Sequence, residues 1–328
     1  MKKPLLWVIG FLLFISILLA VFLTWKIFSS TPPEPTVKRA TLINPTGPTV
    51  IPVAGLESGQ FYSDFILDLH YWTNTDEALA LLAAEKTDFA VLPITVATNI
   101  YAKNIDIALI GVHEWKVFYL LAPENSSFDG WQSLKGKNVY MPVGRGHTLD
   151  ILTRYALQKE GIDPDEDLQI NYAPPPEIVS LFVAGKVDYA ALPEPFVTQG
   201  ILKGNGKIVL DFQEFWGEST GMPKRIPIAG LFVQRSFLNE YPEESKEMAR
   251  IFAESTTWAN ENIDQAIEFS SEILPIPPSV MKSAMSRTEF DYIPIADCQV
   301  EVENFLNKMH ELYPEGLPNL PDNGFYAE

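Results

Sequence analysis

The chain has 328 residues, 47% of them apolar, with 42 acidic against 24 basic side chains and a net charge of −18. That balance argues against nucleic acid and against a long-range field gathering anions, but leaves room for an anion in a local pocket of backbone N–H groups. A single cysteine, Cys298, excludes a disulfide framework and any multi-cysteine metal or iron–sulfur site, and reads as a small buried apolar residue.

Met1-Lys2-Lys3 precede a stretch from Pro4 to Trp25 without a charged residue. As a helix it would run ~33 Å, enough to cross the hydrocarbon core of a bilayer. The two lysines favour a cytoplasmic N-terminus and an extracytoplasmic remainder. Lys26 to Ser30 offers no small-x-small cleavage site and no cysteine for a lipid. Residues 1–30 are therefore expected to be an uncleaved transmembrane anchor, with a cleaved signal peptide as the alternative. Residues 31–36 (TPPEPT) cannot propagate a helix and read as a stiff spacer. The expected location is the cell membrane, with the domain on the periplasmic side or the cell surface.

Strands are expected at Val37 to Ile43 and Phe65 to Trp72. Thr73-Asn74-Thr75-Asp76 then supplies N-cap residues for the helix EALALLAAE. Further strands follow at Asp88 to Leu92, Ile105 to Val112 and Lys116 to Leu121. A second cycle has strands at Asn138 to Pro142, Leu168 to Tyr172 and Lys207 to Asp211, with a helix from Leu149 to Glu160. An aromatic loop holding Trp216 leads to a strand at Ile226 to Gln234, and the chain from Asn239 onward is mainly helical. Strands alternating with helical patterns predict parallel βαβ construction.

Two stretches 100 positions apart are alike: LLAAEKTDFAVLPITVAT from Leu81 and LFVAGKVDYAALPEPFVT from Leu181. Leu81, Ala84, Lys86, Asp88, Ala90, Leu92, Pro93 and Thr98 recur at the same offsets in the second copy. Each reads as a helix end, a polar turn, a buried strand and a proline at the strand's carboxyl end, where open α/β sheets form ligand crevices. The doubling suggests two similar α/β lobes; chance convergence of two βα units in one sheet is the alternative. One lobe is expected from 37–120 and 228–328 and the other from 121–227. The chain then crosses between them near Leu121 to Pro123 and near Arg225 to Ile228, a hinge.

SLKGKNVYMP, GRGHTLDILTRYALQKEGIDP, LFVAGKVDYAALPEPFVT, TTWANEN and SAMSRTEF resemble, in that order, the solute-binding proteins of ABC importers. The branch is that of the sulfonate, nitrate, taurine and thiamine-precursor binders, and AGKVDYAALPEPFVT is the most specific piece. The resemblance implies a type II periplasmic-binding fold, two α/β lobes joined by two crossover strands and closing on a small-molecule ligand. It also implies an ABC permease and ATPase as partners, a monomeric receptor and no cofactor. The retained anchor is a departure, since many relatives are cleaved or lipid-linked.

In such a fold the ligand is expected at loops after the strands: Gly47, Pro48 and Thr49; Trp72 and Asn74; Pro93 and Thr95; Gly144, Arg145, Gly146, His147 and Thr148; Glu194 and Pro195. The glycines of the fourth group allow close backbone approach, and Thr148 would cap a helix whose free N–H groups receive an oxyanion or carbonyl, or serve as a simple cap. Arg145 would pair with an oxyanion or face solvent. Glu194, whose counterpart is the apolar Ile94, would accept N–H groups of a ligand, or else cap its own helix or form a salt bridge. Trp72, Trp115 and Trp216 are either stacking platforms or core.

Asp163-x-Asp165-x-Asp167 lacks the glycine and glutamate of a calcium loop and reads as a turn. The four histidines show no metal-protease spacing, and no G-x-S-x-G elbow or Walker loop occurs. The reading is a receptor rather than an enzyme. Its rivals are a thiamine-pyrimidine synthase of the same fold, which the cysteine count opposes, and a sensor domain without a transporter. The ligand reads as a thiamine-precursor-like heterocycle or a sulfonate-like anion.

Overall fold

A computed structural model describes residues 39–61 and 63–327. The expected anchor and proline-rich spacer lie outside the described residues. Among those described, no helix is long and apolar enough to cross a membrane.

In chain order the strands are β1 (Arg39–Pro45), β2 (Ile66–Trp72), β3 (Phe89–Pro93), β4 (Ile107–Lys116), β5 (Phe118–Pro123), β6 (Asn138–Met141), β7 (Gln169–Tyr172), β8 (Tyr189–Pro193), β9 (Gly206–Asp211), β10 (Ala229–Gln234) and β11 (Glu289–Pro294). They form a six-stranded sheet ordered β11-β4-β10-β3-β1-β2 and a five-stranded sheet ordered β7-β6-β8-β5-β9. This is the two-sheet α/β periplasmic-binding-protein fold.

The expected parallel βαβ pairing holds for β1 with β2 and β3 and for β6 with β7 and β8. It fails where the chain changes sheet. β10 runs antiparallel to β3 and β4, and β5 runs antiparallel to β8 and β9. β4 passes through Val117 straight into β5 with no crossover helix. The first passage therefore lies at Val117 rather than at Leu121 to Pro123, which pair inside the second sheet. The return runs through 221–228, where Ile226 and Ile228 donate their N–H groups to the carbonyls of Trp115 and Glu114. The two passages thus run side by side, held by backbone hydrogen bonds.

The matched stretches explain themselves here. Each is a helix end (Thr75–Ala83; Pro175–Val183), a strand (β3; β8) and a following helix (Ile94–Tyr101; Phe196–Gly204). Asp88 accepts the Thr41 N–H at 2.8 Å and returns its own N–H to the Thr41 carbonyl; Asp188 does the same with Asn138. The shared aspartates therefore clamp β1 in one sheet and β6 in the other. The turn before each needs a left-handed residue: Gly185 (φ +70°) in one copy and Glu85 (φ +51°) in the other. Ala90, Leu92, Ala190 and Leu192 are fully buried, and each leucine contributes about 1.5–3 kcal/mol by leaving water.

Three elements differ from expectation. Helix Val50–Glu57 is absent from the sequence reading because its β-branched residues and Pro52 do not announce a helix; packing on helices Pro242–Glu261 and Ile263–Ser270 imposes it. Trp216 lies in helix Phe212–Thr220 rather than a loop, with Asp211 capping the first turn through Gln213 and Glu214 N–H. β11 falls within the stretch read as helical; it is a short edge strand on β4 with exposed Asp291 and Pro294.

Candidate functional site

A cleft of about 350 Å³ opens between the carboxyl ends of the parallel strands of both sheets. β1 and β2 end side by side, Pro45 opposite Trp72, with the Thr46 N–H bonded to the Trp72 carbonyl at 2.8 Å. The loops that follow bring Pro48, Thr49 and Asn74 to one wall, and Pro93 ends β3 beside them. The other sheet contributes Pro142 and Val143 after β6, Ala173 to Pro175 after β7, and Pro193 ending β8. The passage strands supply Glu114, Phe118 and Ala229. Prolines and aromatics dominate the wall, so a ligand would meet an apolar, rigid surface with few polar points.

Those polar points are unusual. Thr49 Oγ1, Trp72 Nε1, Glu114 Oε1 and His147 Nδ1 are all buried and have no hydrogen-bond partner among the described residues. A buried polar atom without a partner costs about 1–3 kcal/mol, and here four lie on one cleft. Burial pushes the Glu114 carboxyl up to about 8 and holds the His147 imidazole down to about 4, with Asp150 pulling the latter back up. Both groups are therefore neutral at pH 7. No lysine or arginine is among the twenty residues that line it.

Val143 is a second mark of a site. It has φ +68°, half exposed, a conformation that strains a β-branched side chain by about 1–3 kcal/mol. The loop that holds it is anchored from below. Asp150, wholly buried, accepts from Gly146 N (2.8 Å), Arg154 Nε (2.7 Å) and the Tyr172 hydroxyl (2.6 Å). Tyr172 thus presents its ring to the cleft while its hydroxyl is engaged. His147 packs edge-on to Phe118, ring centroids 5.8 Å apart.

Of the residues singled out in the sequence, Pro48, Thr49, Trp72, Asn74, Pro93 and His147 line this cleft. Asn74 is spent locally, its Oδ1 accepting the Glu77 N–H at the start of its helix. Gly144, Arg145 and Gly146 face an adjoining depression of about 200 Å³ instead. Arg145 turns to Tyr313, with Asp165 and Glu315 at 3.4 Å, so its charge is already matched. Gly47 lines neither. Thr148 does not cap: His147 holds the N-cap position without a side-chain bond, and Thr148 Oγ1 lies 3.5 Å from Thr95 Oγ1. Both threonines are buried, linking the starts of two helices that flank the cleft.

Glu194 corrects the expectation most sharply. Its carboxylate accepts Thr198 N and Oγ1, each at 3.0 Å, and Arg287 Nε at 2.5 Å. With Pro195 it borders a void of about 10 Å³, room for one water at most. Its oxygens are engaged as a helix cap and an ion pair, so it offers a ligand nothing. Trp115 and Trp216 are core: the former donates to the Asp291 carbonyl at 2.7 Å under the Arg225 guanidinium, and the latter packs on Phe305. Asp165 pairs with Arg154 at 2.8 Å, in keeping with a turn whose acidic residues serve the fold.

Glu114 was missed. Placing the strand's end at Val112 left 113–115 outside it, and the available signal was a lone carboxylate within the apolar run from Ile107 to Leu121. Phe118 and Tyr172 were missed because a wall aromatic and a core aromatic look alike in sequence.

The NMT1-like family model matches residues 119–275. A Bacillus subtilis protein named for binding aliphatic sulfonates is 28% identical over 210 residues, covering 63% of this chain and 60% of that protein. The match thus spans less than two thirds of that relative's length. Among solved structures, an ABC transporter protein of Parabacteroides distasonis superposes with a TM-score of 0.73 at 26% identity, covering 89% of this chain and 99% of the other. The periplasmic aliphatic sulphonate binding protein SsuA of Escherichia coli superposes with a TM-score of 0.74 over 89% of this chain and 93% of its own, at 18% identity, a likeness of fold.

Proposed function

From the premise that this chain is similar to the solute-binding proteins of ABC importers, we propose that it captures a small organic solute between its two sheets and presents it to an ABC permease and its ATPase. The observation that carries this reading is the set of four buried, unpartnered polar atoms on one apolar cleft. Four such atoms gathered on one cleft are groups that a ligand or water entering it can complete. Each sheet, with its helices, forms one lobe, and the paired passages at Val117 and 221–228 form the hinge. Solute binding favours the closed arrangement by as much as it prefers that arrangement over the open one.

The uncharged segment from Pro4 to Trp25 anchors the domain to the outer face of the cytoplasmic membrane, and 31–36 spaces it from the surface. Catalysis is not part of this reading: the cleft has a neutral histidine and carboxyl, no cysteine and no lysine to hold a pyridoxal group. The test is thermal shift against a panel of sulfonates, nitrate, amines and aminopyrimidines, with each compound assayed for turnover. A raised Tm from at least one compound without chemical change supports the reading. Conversion of the compound would replace it with the enzyme reading.

A further inference from the structure

Resting on the receptor reading, we propose that the ligand carries a protonated or N–H-rich nitrogen that pairs with Glu114, and an acceptor at its other end held by Trp72 Nε1–H and Thr49 Oγ1. A simple anion is not the favoured ligand. The argument is one of charge. Glu114 is 4% exposed and lines the cleft, and its carboxyl makes no hydrogen bond or ion pair within the described residues. No lysine or arginine is among the described residues of the lining, so no side-chain cation on that wall meets an anion. Glu194, a wholly buried carboxyl outside the cleft, shows the contrast: it has Arg287.

A carboxyl kept in an apolar wall without a partner gains most from a ligand nitrogen that brings its own charge or N–H donors. Burial pushes the Glu114 carboxyl up to about 8, and a cationic nitrogen beside it draws it back toward the charged form. An oxyanion is left with the indole N–H, the Thr49 hydroxyl and uncapped helix starts at Val50 and Thr148, against a carboxyl that must stay protonated. Phe118 and Tyr172 give the lining aromatic surface for a flat or cationic body.

The experiment uses matched probes that differ at the nitrogen: benzylamine against benzyl alcohol, and 2-aminoethanesulfonate against ethanesulfonate. Each is titrated calorimetrically into wild type, E114Q and E114D, with folding of each variant checked by circular dichroism. The expected result is binding of the nitrogen-bearing member of each pair, lost by more than about tenfold in E114Q and kept in part by E114D. Equal or tighter binding of ethanesulfonate, unchanged or improved in E114Q, overturns the ligand class and leaves the receptor reading standing. Failure of wild type to bind any member of either pair overturns the ligand class too; the receptor reading then falls only if its own wider panel also fails.

Discussion

Glu114→Gln isolates what one unpartnered carboxyl costs the fold. Its pKa rises to about 8 from an ordinary 4.5 because burial penalises the charged form. A group whose folded pKa is raised stabilises the fold fully below its unfolded value and loses that contribution as pH rises through the folded one. Between pH 4.5 and 8 the unfolded chain releases this proton while the folded chain keeps it, so stability falls as pH rises. The gap corresponds to about 5 kcal/mol above pH 8, and to roughly 3 kcal/mol at pH 7. Gln has nearly the same shape and no charge to lose, so the variant should lack this slope. Urea titrations of wild type and E114Q from pH 5 to 9 read it directly: the stability difference should grow steadily in favour of E114Q with rising pH. Parallel profiles across that range would refute the argument, because they would mean that Glu114 ionises in the folded state as easily as in water.

Glu194→Ala removes a cap and leaves Arg287 without its partner, so stability should drop by about 3–5 kcal/mol in denaturant titration. Glu85→Gly replaces a left-handed glutamate by the residue its twin turn uses and should raise stability by about 0.5–1 kcal/mol, a Tm gain of a degree or two. His113→Leu removes a wholly buried imidazole with neither nitrogen bonded, packed against Phe252. Burial holds His113 down to about 3, so the wild type loses stability as pH falls from 6.5 toward 3, where only the unfolded chain takes the proton. The leucine variant should be more stable by about 1–3 kcal/mol at pH 7 and should show a shallower acid limb in the same titrations.

What was legible in the sequence was what repeats. Local periodicity and the matched stretches located most strands to within a few residues, because an aspartate clamp and a proline-ended strand are local devices written in contiguous residues. What was not legible depended on distant partners. β11 exists because β4 offers it an edge, and helix Val50–Glu57 because two later helices cover it. Neither partner is adjacent in the chain.

The same distinction governs the site. The mismatch between Ile94 and Glu194 looked like ligand selection, since everything around it matched. Its cause is how each helix begins. In the first copy the helix starts at Ile94 itself, whose N–H bonds to the Ile228 carbonyl from the returning passage. In the second copy the helix starts at Phe196, and Glu194 caps it while holding Arg287, 93 positions away. A departure from internal symmetry therefore marked a joint in the fold. The carboxyl free to meet a ligand sits on the passage strand, outside the repeat, where no internal counterpart exists to make it conspicuous. The cleft wall draws on both sources: Pro93 and Pro193 come from the matched stretches, whereas Glu114 and Phe118 come from the passage strands.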